Sequence, residues 1–260
     1  MTAKQSFSCG GWRGRAALEH QGDFQQLDQW LHSPPGECVV WYPCREVRRL
    51  QLSDGSVAYA KIIRALTDAG LERKEWFSWC KWVFRPSRAI ATWRISLRLL
   101  AHGFLCPRPL LAARRRERGY PTDIFIAAEV PFPDLWHDDT LPPAQLADFV
   151  GRELAAFHEA GFAHGDCILR NLCREPHRDR LIYLDNDRTW APPCFVRRHY
   201  QMRNLAQMAY SFLKRFEDTA ISESFLNAYR GTGKGISLSD NNIAKILSGA
   251  IRRKNRNRKS

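Results

Sequence analysis

Residues 162–190 read FAHGDCILRNLCREPHRDRLIYLDNDRTW, and the polar groups in this stretch set the reading of everything around it. Asp166 and Asn171 stand five positions apart. A break rich in Arg, Pro and His follows, then a short apolar run, Leu181-Ile182-Tyr183-Leu184, with Asp185 at its end. A loop, a hairpin turn and a buried strand can carry three such groups to one point. Phosphoryl transfer from a nucleotide needs that set. One carboxylate orients the acceptor hydroxyl, while an amide oxygen and a second carboxylate hold the magnesium ions that neutralise the phosphates. Taken singly, HGD is a polar turn and LIYLDND a strand with an acidic end. Taken in this order and spacing, they mark Asp166 as the catalytic group and Asn171 and Asp185 as ligands of metal and nucleotide.

The interval is that of the protein-kinase signature, in which H-R-D-x-x-x-x-N is followed by the Asp of D-F-G. His164 is expected to brace the loop from beneath rather than to move protons. Upstream, Cys38–Tyr42, Glu46–Leu52 and Val57–Ile63 are β-prone, and Ser53-Asp54-Gly55 turns the second into the third. Lys61, late in VAYAK, has the place of the lysine that grips the α- and β-phosphates. A glycine-rich phosphate loop is missing, because Pro43-Cys44-Arg45 stands between the first two strands. Arg45, Arg48 and Arg49 are the candidates to touch phosphate instead. A strand over Asp123–Val130 ends in Ala128-Glu129-Val130-Pro131, which suits a hinge where the backbone at Glu129 meets adenine. ATP and Mg2+ are the expected cofactors. The expected fold is α+β, protein-kinase-like and two-lobed, with a small antiparallel-sheet N-lobe and a mainly helical C-lobe. Residues 1–36 read as an unpatterned, partly ordered extension with one short helix around Asp23–His32, residues 37–130 as the N-lobe, 131–251 as the C-lobe and 252–260 as a basic tail.

Helices are expected at Leu71–Phe84 and Ser87–Gly103, broken at Arg85-Pro86. From Trp76 to Arg116 there is no Asp or Glu, and aromatics alternate with bases. That pattern suits either anionic lipid headgroups or a core with a solvated basic face. The second helix has no Glu to pair with Lys61. Thr92 stands about where one is wanted, and the nearest carboxylates are Glu72 and Glu75. A basic turn at Arg114–Arg118 precedes the hinge strand. Gln145–Ala160 is periodic, with Leu146, Phe149, Val150, Leu154 and Phe157 on one face and Gly161 as its stop. Three more helices, Val196–Phe216, Asp218–Tyr229 and Ser239–Ile251, follow.

Composition narrows the partner. The formal charge is +13, from 40 basic and 27 acidic residues, which points to a polyanion. The eight cysteines form no C-x2-C pair and read as reduced thiols of a cytosolic protein. His158-Glu159 and His164 do not make a zinc motif, since six positions and a Gly separate the histidines. The first thirty residues lack the apolar core of a signal peptide, and no run reaches the roughly 18–20 apolar residues of a spanning helix.

Four stretches together resemble the bacterial lipopolysaccharide core kinases of the Kdo/WaaP type: VAYAK, SRAIATWRISLRLLAHGFLCPRPL, GRELAAFHEAGFAHGDCILRNL and LIYLDNDRTW. The resemblance implies a sugar hydroxyl, of Kdo or heptose, as acceptor, with Asp166 as base, Asn171 and Asp185 on metal and Lys61 on phosphate. Asp187 takes the place of the Gly in D-F-G. It implies a lipopolysaccharide core or lipid A–core precursor as partner, with nucleic acid not expected, and a peripheral position on the anionic inner face of the cytoplasmic membrane. Two alternatives keep part of this reading. One is a kinase of small molecules or proteins, which for cationic antibiotics would need an acidic pocket. The other is a pseudokinase that binds an anionic partner, to which the lack of a helix Glu lends support.

Overall fold

Val57–Arg64 (β5) alternates cleanly, with Ala58, Ala60 and Ile62 buried and Lys61 on the opposite side. In this computed structural model, which describes residues 4–31, 33–64, 86–117 and 119–257, that strand lies within a seven-stranded sheet. Its other strands are β1 (Lys4–Cys9), β2 (Trp12–Ala17), β3 (Glu37–Tyr42), β4 (Arg45–Gln51), β6 (Pro109–Glu117) and β7 (Tyr120–Ala128). The order is β1-β2-β6-β7-β5-β4-β3, and every neighbouring pair is antiparallel. Ala58, Ala60 and Ile62 join Trp12, Leu27 and Ile124 in one apolar cluster. Lys61 lies opposite Phe125 of β7, and Phe125 lies opposite Ala112 of β6, so these three share the second face. Helix α1 (Arg88–Ala101) covers that face, packing Ala89 and Trp93 on Ala112 and Phe125.

A carboxylate of the sheet fixes where this helix begins. Buried Asp123 accepts from Ser87 Oγ (2.8 Å), from the Arg88 N–H (2.9 Å) and from Arg114 through Nε (2.7 Å) and Nη2 (3.0 Å). It satisfies an orphan donor at the helix start and neutralises a guanidinium. The stretch expected as a basic turn at Arg114–Arg118 is therefore corrected. β6 runs on to Glu117, and Arg114 is a cross-strand partner of Asp123. Pairing, which a count of local bases does not reveal, makes residues 114–117 of it a strand.

The amino-terminal segment also differs from its reading as an extension. β1 and β2 form a hairpin whose second strand pairs with β6. The two-residue loop is Gly10-Gly11, with φ of 49° and 82°, between the paired Cys9 and Trp12. Two successive positive φ values are what a type I′ hairpin turn demands and what glycine supplies without steric cost. Instead of one helix around Asp23–His32, short 3₁₀ turns form at Gly22–Phe24 and Gln29–Leu31. They deliver Phe24, Leu27 and Trp30 to the cluster beneath the sheet.

The chain forms two compact units, Met1–Arg98 with Pro107–Val130, and Leu99–Cys106 with Pro131–Ser260. The second holds the β8–β9 hairpin (Leu172–Glu175, Arg180–Tyr183) and helices α2 (Pro143–Glu159), α3 (Cys194–Phe216), α4 (Thr219–Gly231) and α5 (Asp240–Asn257). The predicted apolar face of α2 is buried. Phe157 stacks on Tyr183 at 4.2 Å, and Phe104 meets Phe157, Phe162 and Tyr183 edge-on. α5 continues to Asn257, so the described part of the basic tail is helical. The expected helix Leu71–Phe84, with Glu72 and Glu75, lies outside the described residues. Among the described residues, seven cysteines are free, and no helix is long and apolar enough to cross a membrane.

Candidate active site

The register of the β8–β9 hairpin brings two of the predicted residues together. Leu172 pairs with Tyr183, and one step further the Leu184 N–H donates to the Asn171 carbonyl at 2.9 Å. Asp185 is the next residue, with a left-handed backbone (φ 45°, ψ 55°), a conformation that short polar side chains tolerate best after glycine. The side-chain amide of Asn186 donates to the Tyr183 carbonyl at 2.6 Å and closes the turn. The strand's hydrogen-bonding pattern, not chance, thus ends beside Asn171 with an exposed carboxylate.

Asp166 reaches the same point from the loop after α2. Asn171 Nδ2 donates to its carbonyl (2.8 Å) and to its Oδ2 (3.3 Å). This is the physical content of the five-residue spacing, a turn closed by an amide. His164 links the backbone at Asp166 to that of Leu184, the residue before Asp185. Its Nδ1 accepts from the Asp166 N–H (3.1 Å), and its Nε2 lies 2.8 Å from the Leu184 carbonyl, so the proton sits on Nε2. Burial lowers the pKa of this ring and keeps it neutral. The expected bracing role fits these contacts. Gly165 allows the close approach of the next turn, since a Cβ there would lie 2.0 Å from the Arg188 Cβ.

Two supporting residues have no counterpart among the predicted ones. Gln207 of α3 donates from Nε2 to Asp166 Oδ1 (3.3 Å) and accepts the Cys167 N–H (3.3 Å). Both carboxylate oxygens of Asp166 therefore face an amide donor, which sets the rotamer without neutralising the charge. Asn204, on the same helix, clasps His164 at its N–H (2.8 Å) and its carbonyl (2.6 Å). Behind it, His158 points Nε2 at Asn204 Oδ1 (3.2 Å) and Nδ1 at the Tyr229 hydroxyl (3.0 Å). Both ring nitrogens are committed.

Burial pushes the His158 pKa down to about 3. A histidine near 6.5 when unfolded and near 3 when folded binds its proton only in the unfolded state between those values. Stability is accordingly complete above the unfolded value and is lost as pH falls below it. The expected cost is about 1.4 kcal/mol per pH unit for each such ring. Urea unfolding midpoints at pH 7, 6 and 5 test this against His158→Gln, which should show a shallower pH slope. Equal slopes would show that His158 does not carry the dependence.

Lys61 and Glu129 belong to the other compact unit. Lys61 is half-buried on β5. The Glu129 N–H donates to the Val57 carbonyl at 2.9 Å, so only its carbonyl or the neighbouring Val130 is left to meet a base. Its carboxylate receives Arg49 Nε (3.4 Å) and the Tyr59 hydroxyl (3.3 Å). Arg48, named above as a phosphate candidate, is tied instead to Glu46 and to the carbonyls of Pro35 and Gly36. Burial works to raise the Glu46 carboxyl, but hydrogen bonds from Arg48 and Arg64 win and hold it below the usual range. Thr92 is buried and donates to the Arg88 carbonyl at 2.8 Å, so its hydroxyl serves its own helix.

The donor set fits a hard cation that brings its own ligands. Asn171 Nδ2 is used on Asp166, which leaves Oδ1 as its free acceptor, and Asp185 adds a carboxylate. Among the described residues no three His, Cys, Asp or Glu side chains form a metal cage. Magnesium is commonly held by one or two protein oxygens plus phosphates and water.

The sequence profile of the lipopolysaccharide kinase (Kdo/WaaP) family matches residues 78–243. The chain belongs to this family. Membership places it among the sugar kinases of the lipopolysaccharide core, as a phosphotransferase, and implies the use of ATP. WaaP in complex with acyl carrier protein shares the fold with a TM-score of 0.54 at 17% identity, over 85% of this chain and 88% of that one. The Rio2 kinase of Chaetomium thermophilum, as its ADP/Mg2+-phosphoaspartate complex, matches with a TM-score of 0.54 at 15% identity, over 98% and 82%. The amicoumacin kinase hAmiN, bound to AMP-PNP, Ca2+ and Ami, matches with a TM-score of 0.58 at 13% identity, over 87% and 84%. The fold is the α+β, kinase-like one expected of the family. No curated protein sequence matches the chain.

Proposed function

We propose that the protein transfers the γ-phosphoryl group of ATP to a hydroxyl of Kdo or heptose in the lipopolysaccharide inner core. Asp166 is the group that orients the acceptor hydroxyl and takes its proton. Asn171 Oδ1 and the Asp185 carboxylate hold Mg2+, which supplies neutralisation of the phosphate charge when bound. Lys61 is assigned to the α- and β-phosphates, and the chain at Glu129 to the adenine. The observation that carries the reading is the closed circuit among Asp166, Asn171 and the Leu184 carbonyl, made by one amide and one imidazole. A base and an amide ligand held in this way, with Asp185 next in the chain to Leu184, are preorganised for transfer rather than for binding alone.

The acceptor reading places the protein at the inner face of the cytoplasmic membrane, with a lipid A–core precursor as partner. Incubation with Mg2+-ATP and a Kdo-containing lipid A precursor should add one phosphate to the sugar, seen by mass spectrometry. Lipopolysaccharide from a deletion strain should lack the same phosphate. An unmodified precursor, together with phosphate incorporation into a protein or a small amine, would turn the assignment to another acceptor.

A further inference from the structure

The start of α3 takes no part in the circuit above, and its chemistry is one-sided. From Arg188 to Phe216 the chain holds no Asp or Glu but has Arg188, Arg197, Arg198, Arg203, Lys214 and Arg215. Phe195, in the first turn, is 84% exposed, more than any other large apolar side chain recorded among the described residues. Spacings of three and four residues put Arg198, His199 and Arg203 on its side of the helix, all exposed. The other side, with Gln201, Asn204, Leu205 and Met208, is buried. Beside the exposed turn opens a cavity of 340 Å³ lined by Arg197, Arg198 and Lys234, with Glu159 as its one carboxylate. Their contacts are loose. Arg198 reaches the Ser237 carbonyl and Asn242 Oδ1 at 3.4 Å each, and Lys234 lies 3.8 Å from Glu159.

A lone exposed ring is ordinary on a protein surface, so it is the bases gathered around Phe195 that ask for a reason. A membrane surface gives one, since apolar rings enter the headgroup boundary while bases meet lipid phosphates. The surface is tied to the catalytic loop within the same compact unit. Trp190 rests edge-on against Tyr200 at 4.8 Å, and its backbone pairs with Ala163, next to His164, through bonds of 2.9 and 3.1 Å.

We infer that the first turns of α3, with the Arg197–Arg198–Lys234 cavity, form the docking surface for an anionic phospholipid bilayer. Phe195 enters the bilayer and lipid phosphates pair with the three bases. The inference rests on the proposed function for its purpose, which is to hold a lipid-borne acceptor near Asp166, but its geometry is independent of the acceptor.

The test is co-sedimentation of the full-length protein with vesicles of phosphatidylethanolamine and phosphatidylglycerol, against vesicles of phosphatidylcholine alone. The wild type should partition onto the anionic vesicles. Each base contributes about fivefold, so Arg198→Glu with Lys234→Glu should lower partitioning by more than tenfold. Phe195→Ser should weaken binding at high salt too, where the charged contribution is screened. Both variants should keep the wild-type unfolding midpoint and transfer to a soluble, delipidated acceptor. Trp41→Ser, which removes a ring 68% exposed on β3, should bind as the wild type does. Unchanged partitioning of both α3 variants, or loss confined to Trp41→Ser, would overturn the inference. A protein that binds vesicles through α3 yet phosphorylates no lipopolysaccharide precursor would refute the acceptor assignment and leave the docking surface standing.

Discussion

Asp166→Asn is expected to lower phosphoryl transfer by about 10²–10⁴-fold, the range a positioned general base contributes, while Mg2+-ATP binds as tightly as before. The separation follows from where the contacts lie. Oδ1 and Oδ2 of Asp166 face the amides of Gln207 and Asn171, each at 3.3 Å, and the metal ligands are the neighbours of this carboxylate rather than the carboxylate itself. An amide in its place keeps the shape. It cannot accept the acceptor's proton, and one of its ends turns a donor toward a donor. The loss should therefore appear in kcat with acceptor saturating, and calorimetric nucleotide affinity should move by less than a factor of two. A transfer rate within tenfold of the wild type would remove Asp166 from the base role. A large loss of nucleotide affinity would mean that it helps hold the metal.

The parts of this site that depend on chain-local geometry were legible in the sequence. The Asp166–Asn171 interval encodes a turn closed by one amide, and the apolar run Leu181–Leu184 encodes a strand whose end is Asp185. What supports them was not legible from local spacing, because it comes from a helix about forty residues further on. Gln201, Asn204, Gln207 and Ser211 recur at helical spacing on the inner side of α3, among Leu205, Met208 and Phe212. Each spends its polar atoms on the loop: Gln201 on the His158 and Phe162 carbonyls, Asn204 on His164, Gln207 on Asp166 and Ser211 on the Leu169 N–H. Buried polar groups must find partners, so a polar stripe on an otherwise apolar helix face was itself a signal of a docked loop. The amino-terminal hairpin was missed for another reason. Glycines in a polar segment suggest flexibility, whereas two glycines between residues of strand character, as Gly10-Gly11 are, also make a two-residue hairpin turn.

Asp185 offers the sharpest test of the metal assignment, because charge and backbone shape can be separated there. Its φ of 45° is one that Asp and Asn adopt more readily than Ala. Asp185→Asn therefore keeps the turn and most of the side-chain volume while removing the charge. Asp185→Ala removes the oxygens and also places a less suitable residue at a left-handed position, at a cost on the order of 1 kcal/mol of stability. If Asp185 holds Mg2+ with Asn171, both variants should weaken ATP binding measured with Mg2+ by at least tenfold, the lower end of the losses seen when metal-site support is removed. ATP measured with chelator should bind all three proteins alike. The unfolding midpoint should fall for Asp185→Ala more than for Asp185→Asn, so stability separates the two variants while the loss of the charged ligand is common to both. Equal Mg2+-dependent affinity in wild type and Asp185→Asn would show that the carboxylate is not a ligand. In that case the left-handed turn would serve only to end the strand, and the cation would have to be sought among other oxygens.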